Sequence, residues 1–93
     1  MSTSRPSIMH PHIIRDRNIC GGSPVIAGTR FPVRSVVFYS IKIGLTPEEI
    51  VEKFPHLSLA QVYDALAYYY DNRVEIEQDI LENTEETVRG TKD

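Results

Sequence analysis

Cys20-Gly-Gly-Ser-Pro-Val-Ile-Ala-Gly-Thr-Arg-Phe-Pro-Val33 is the stretch whose reading decides the fold. Gly21-Gly22 marks a turn, because glycine reaches positive φ without steric cost. Val25 and Ile26 are a short apolar run bounded by turn signals on both sides, the pattern of a brief strand. Gly28 breaks the chain again. Phe31-Pro32 is an extended pair, since proline pushes its predecessor out of the α region. The stretch reads as a connector of turns and strand that feeds a helix, and nothing in it resembles a catalytic loop.

On its N-terminal side, His12-Ile-Ile-Arg15 reads as a first strand, pairing with Pro24-Val-Ile26 across a loop. Such a hairpin is marginal alone and needs a surface to lie on. On its C-terminal side, Val33 to Ile43 is ambiguous. Val33, Val36, Val37 and Ile41 share one helical face, yet Val37, Tyr39, Ile41 and Ile43 also alternate as a strand does. The β-branched content favours a strand, whereas Pro32 before the segment and Gly44 after it favour a helix.

The next segments are clearer. Thr46-Pro-Glu-Glu49 is a capping box with proline at the first helical position, and Pro55 ends the helix that follows. Ser58-Leu-Ala-Gln61 repeats the start signal. Leu59, Val62, Tyr63, Leu66, Ala67 and Tyr70 then fall on one stripe at helical spacing, which leaves Tyr68 and Tyr69 on other sides of the helix. A short helix, a turn and a longer helix make a helix-turn-helix. Beyond Asn72, Ile76, Ile80 and Leu81 support a short fourth helix whose acidic remainder gives it weak intrinsic order. The expected organisation is a flexible tail over 1–11, one domain over 12–82 and a disordered acidic tail over 83–93.

A chain of 93 residues makes one small domain, and a domain of this size buries only about 60–65% of its unfolded surface. Dimerisation or a covering partner is therefore expected. The single cysteine, Cys20, excludes an internal disulfide and fits a reducing compartment. No apolar run is long enough for a signal peptide or a membrane span, so the expected location is the cytoplasm. Charge is unevenly spread. Residues 1–44 hold six Lys or Arg against Asp16 alone, and residues 45–93 hold four against twelve acidic groups. That split points to a basic face and an acidic end.

The central motif, with Gly44-Leu-Thr-Pro-Glu-Glu-Ile50 and Phe54-Pro-His-Leu-Ser58, resembles the family known as domain of unknown function 433. The likeness spans about residues 12–80. It implies a mainly α fold, an N-terminal β-hairpin followed by a homeodomain-like helix-turn-helix core of three to four helices, and it makes the ambiguous segment a helix. It also implies an antitoxin-like role beside a PIN-like ribonuclease toxin. The motif maps onto Gly22, Pro24, Val25, Ile26, Gly28, Thr29, Arg30, Pro32 and Val33. Most of these shape the hairpin. Arg30 is the exception, because a guanidinium held at a helix entry can grip a carboxylate or phosphate, or else clamp its own loop.

Three functions compete. For DNA binding, the candidate residues are Arg15, Arg17, Arg30 and Arg34, acting in a dimer. The second helix of the helix-turn-helix weakens that reading: from Ser58 to Asp71 it has no Lys or Arg, and base and phosphate contacts lean on such cations. For protein binding, the candidates are Tyr68, Tyr69, Ile76, Ile80 and Leu81, with the acidic segment pairing to a basic toxin surface. This reading ranks first. It expects a type II antitoxin that also represses its own operon, and it expects a chain cut before residue 74 to lose the toxin while keeping its folded core. A dimeric DNA-binding regulator is the alternative. Enzymatic activity ranks last, since His10, His12, Cys20 and His56 match no zinc spacing, and no metal or cofactor is expected.

Overall fold

The computed structural model describes residues 9–83. Most of both expected tails therefore lies outside the described residues. Strand β1 (Ile13–Ile14) pairs antiparallel with β2 (Val25–Ile26), Ile13 opposite Ile26 and Ile14 opposite Val25. The hairpin forms where the sequence places it. Its far edge is held too: the Ile26 amide donates to the Phe31 carbonyl at 3.0 Å, and the Val33 amide to Pro24 at 2.9 Å. Gly28, at φ 82°, makes the tight reversal between them, a region that side-chain-bearing residues rarely enter. The Ile26 carbonyl then accepts from both the amide and the hydroxyl of Thr29, at 3.0 and 2.8 Å. Ile13 and Ile26 turn into the core, which gives the two-residue strands the surface they need.

Helix α1 (Val33–Val37) runs directly into a π-helical segment, Phe38–Ile43, closed by Gly44 at φ 95°. The segment is helical, as the family resemblance implied. All five residues of α1 are buried, Arg34 and Ser35 included. A helix enclosed on every side carries no amphipathic signature, which is why periodicity left this segment open. Its valines lower helix propensity slightly, and burial of Val33, Val36 and Val37 outweighs that loss. The expected apolar face does not extend to Ile41. Tyr39 is buried instead, with Ile41 and Ile43 exposed, because a π turn holds more residues than the 3.6 on which that face was counted.

Helix α2 (Pro47–Lys53) and helix α3 (Leu59–Asp71) start as predicted. The Glu49 amide donates to Thr46 Oγ1 at 3.1 Å while Glu49 Oε1 accepts from the Thr46 amide at 2.8 Å. Ser58 and Gln61 repeat the exchange at 3.2 and 2.8 Å. Helix α4 (Arg73–Glu82) follows after one residue. It is an integral wall of the fold and not a loosely ordered extension, since Ile76 and Ile80 join the single core formed by α1, α2, α3 and the hairpin. The expectation that the core survives without residues 74–93 is therefore corrected: removing them strips two core side chains.

Candidate functional site

The four arginines singled out for nucleic acid fall into two pairs. Arg34 is 2% exposed and donates from Nη1 to Asp79 Oδ2 at 3.2 Å. Asp79 Oδ1 also accepts from Ser23 Oγ at 2.9 Å and Asn83 Nδ2 at 3.0 Å. Asp79 thus ties the hairpin, through Ser23, and α1, through Arg34, to α4. Arg15 bonds the Tyr68 hydroxyl at 2.9 Å and forms an ion pair with Glu75. Of the four, Arg17 and Arg30 are exposed and are not drawn into these ties, and the Arg30 carbonyl accepts from Cys20 Sγ at 3.3 Å.

The residues singled out for a partner are rearranged as well. Tyr69 is 1% exposed and Tyr68 is buried, whereas Tyr70, placed in the core by its spacing, is 58% exposed. Helix α3 buries Val62, Ala65, Tyr68 and Tyr69 and turns Leu59, Tyr63 and Tyr70 outward. Both sides of this helix are apolar, so helical spacing alone does not select the inner one. Ile76 and Ile80 are inside the chain's own core, and Leu81 is exposed.

Hydroxyls of the buried tyrosines reach acids at the protein edge. Tyr68 donates to Glu75 at 3.2 Å, and Tyr69 donates to Glu77, which Lys42 approaches at 3.4 Å. Burial raises the Tyr68 pKa, partly opposed by Arg15. For Tyr69 the hydrogen bond to Glu77 is the larger cause of its raised value, with burial second. The same hydrogen bond lowers the Glu77 pKa against the opposing effect of burial.

His10, expected in the flexible tail, is 5% exposed. Its Nδ1 lies 3.1 Å from Asp64 Oδ1 and its Nε2 lies 2.8 Å from Asp71 Oδ2, with the ring edge-on to Tyr68. Asp64 Oδ2 also accepts the His12 amide at 2.8 Å. The arm before β1 is thereby clamped to α3. Sequence reasoning missed this clamp. The one available signal is the pair Asp64 and Asp71, seven apart on an otherwise uncharged helix and so on one flank. Among the described residues, no group of three or more His, Cys, Asp or Glu is placed to hold a metal ion.

A groove absent from the sequence reading opens between the π segment and α2. Its volume is 570 Å³, and Tyr39, Ile43, Leu45, Glu49, Glu52 and Lys53 line it. Tyr39, Ile43 and Leu45 supply an apolar floor. Glu49 and Glu52 project along α2, and Lys53 Nζ lies 6.0 Å from the Tyr39 ring centre and 5.7 Å from that of Phe54, within cation–π range. It offers apolar surface rimmed by two carboxylates and the Lys53 ammonium.

A search of curated proteins finds no match. A solved structure, described as a DUF433 member protein from Anabaena variabilis ATCC 29413, is similar with a TM-score of 0.70 and 30% identity, over 75% of this chain and 68% of that one. The family model for "Protein of unknown function (DUF433)" matches residues 13–69, from β1 through most of α3. The hairpin, the buried α1, α2 and the capped start of α3 lie inside that span, and the chain belongs to the DUF433 family.

Proposed function

We propose that the protein is a non-enzymatic, cytoplasmic antitoxin that binds and neutralises a PIN-like ribonuclease toxin. The observation that carries this reading is the groove over Tyr39, Ile43 and Leu45, rimmed by Glu49 and Glu52. A ribonuclease exposes cations to hold the phosphate backbone of its substrate. An apolar floor beside carboxylates complements such a surface in both area and charge. Helix α3 adds support, since it lacks any Lys or Arg for a DNA groove. The antitoxin identity itself comes from the family resemblance. Among the described residues, no helix is long and apolar enough to cross a membrane.

The test is RNA cleavage by a PIN-like ribonuclease recovered with the tagged full chain from its host. Stoichiometric addition of the protein should stop cleavage. Ile43→Glu and Glu52→Lys change exposed groove residues and should weaken inhibition at least about tenfold, with no change in melting temperature. Full cleavage at equimolar protein would overturn the reading. Autorepression, or a dimeric DNA-binding regulator with no toxin, is the second reading. It is favoured by the exposure of Arg17 and Arg30 beside a helix-turn-helix.

A further inference from the structure

The outer side of α3 has a composition that exposed helices avoid. At about 100° per residue, positions 59, 60, 63, 66, 67 and 70 fall within an arc of about 120°. They are Leu59, Ala60, Tyr63, Leu66, Ala67 and Tyr70, and not one carries a charge. Leu66 is half-buried and the other five are exposed, Tyr63 at 52%. The opposite side of the same helix is already in the core. A helix apolar on both sides is normally enclosed on both sides, and the described residues enclose only one.

We infer that this face packs against the same face of a second copy, antiparallel about a two-fold axis at the level of Ala65. The reason is a self-complementary order of large and small side chains. Ala60, Tyr63, Ala67 and Tyr70 are spaced three, four and three apart, so the spacing is unchanged on reversal while alanine and tyrosine exchange places. An antiparallel pair therefore sets each Tyr63 on the other copy's Ala67 and each Tyr70 on its Ala60. Large residues over small ones let two helices interdigitate at close approach. Parallel pairing at the same level sets tyrosine on tyrosine and leaves a gap between the alanines.

Charge fits the same arrangement. The first turn of α3 has no acidic residue to offset the positive end of the helix, while Asp71 sits at the opposite end with its carboxylate half exposed. Two-fold pairing brings Asp71 of one copy beside Leu59 of the other, at that positive end. The arc itself is uncharged, so no like charges meet. Burying it removes about 400–500 Å² per copy, about 800–1,000 Å² in total, at or just under the lower bound of about 1,000 Å² for a specific interface. The dimer is accordingly weak, and it uses a face distinct from the groove on α2.

Sedimentation equilibrium of the full chain tests this from about 10 μM to about 1 mM, the range in which weak association shows. The expected result is a reversible monomer–dimer equilibrium. Ala67→Glu, on an exposed helical position, should shift dimerisation at least about tenfold toward monomer and leave the melting temperature at low concentration unchanged. Tyr63→Lys should do likewise. An equimolar mixture of the two variants should pair again, because positions 63 and 67 face each other across the axis. A chain that stays monomeric throughout, or an Ala67→Glu variant that dimerises like the wild type, overturns the interface. Failure of the mixture to pair overturns the antiparallel register.

Discussion

Arg34 and Asp79, 45 residues apart in sequence, meet at 3.2 Å with the arginine side chain 2% exposed. The contact joins α1, which starts where the central motif ends, to a helix beyond the residues the family model matches. Asp79 also receives Ser23, so one carboxylate fastens α4 to both the hairpin and α1. A buried pair of this kind adds little net stability against an apolar alternative, but removing one partner strands the other charge. Arg34→Ala or Asp79→Ala should each lower unfolding free energy by about 3–5 kcal/mol in urea titrations. The double substitution Arg34→Met with Asp79→Leu should cost less than either single alanine. Equal costs for all three would show that the charge pair is not the reason Arg34 is buried.

Truncation should be as damaging. A chain ending at Arg73 loses Ile76 and Ile80 from the core together with Asp79. Loss of one buried isoleucine to alanine already costs about 2–5 kcal/mol. Circular dichroism should find the truncated chain largely unfolded at 25 °C, and an unaltered cooperative melt would show that α4 is dispensable.

What the sequence made legible follows from the range of each interaction. Caps are local: Thr46 and Glu49, or Ser58 and Gln61, lie within one turn, so four residues specify the helix start. The hairpin closes over ten residues, 15–24, and the tight reversal that follows β2 needs only Gly28 and Thr29. The inner side of α3 is not local. Spacing selects Tyr70 for the core and sets Tyr69 aside, but both sides are apolar and the one that meets the core carries Tyr69. The order of helix α4 is not legible locally because its anchors are distant: Asp79 needs Arg34, and Glu77 needs Tyr69 and Lys42. The groove joins two elements across Gly44 and has no sequence pattern of its own.

The N-terminal clamp yields a prediction confined to one segment. His10→Ala leaves Asp64 and Asp71 without the imidazole that bridges them, and a hydrogen bond to a charged group is worth about 1.5–3 kcal/mol. Hydrogen exchange should accelerate at the Ala27 amide, which donates to the His12 carbonyl at 2.7 Å, while amides of α2 stay protected. Uniform acceleration throughout the domain would mean that the arm is no separate unit.

Tyr69 and Glu77 predict loss of stability at both ends of the pH scale. Tyr69 has its pKa raised above the ordinary 10.0, so the folded chain keeps a proton that the unfolded chain releases. That contribution is complete below pH 10.0 and declines as pH rises through the folded value. Glu77 has its pKa lowered from 4.5, so its contribution is complete above that value and declines as pH falls through the folded one. Tyr69→Phe removes the shared hydrogen bond. It should cost about 1 kcal/mol at neutral pH and flatten both limbs of a stability–pH curve measured by denaturant unfolding. Unchanged limbs would assign them to other groups.

Arg30 separates a fold role from a DNA role. Its carbonyl meets Cys20 while its side chain is exposed, so Arg30→Ala should shift stability by no more than about 0.5 kcal/mol. If the protein represses its operon, Arg17 and Arg30 are, among the described residues of the basic half, exposed cations not drawn into the ties of Arg15, Arg34 and Lys42, and they can neutralise phosphates. Gel shifts with the upstream operator region should then weaken in Arg17→Ala and Arg30→Ala. The slope of log affinity against log salt should fall by about 0.9 for each phosphate that is no longer neutralised. Arg34→Lys, by contrast, should alter stability and leave the salt slope unchanged, because residue 34 is committed to Asp79. Retained affinity in the Arg17→Ala, Arg30→Ala double variant would remove the hairpin from the DNA surface, and absence of any shift at low salt would leave the protein partner as the function of this fold.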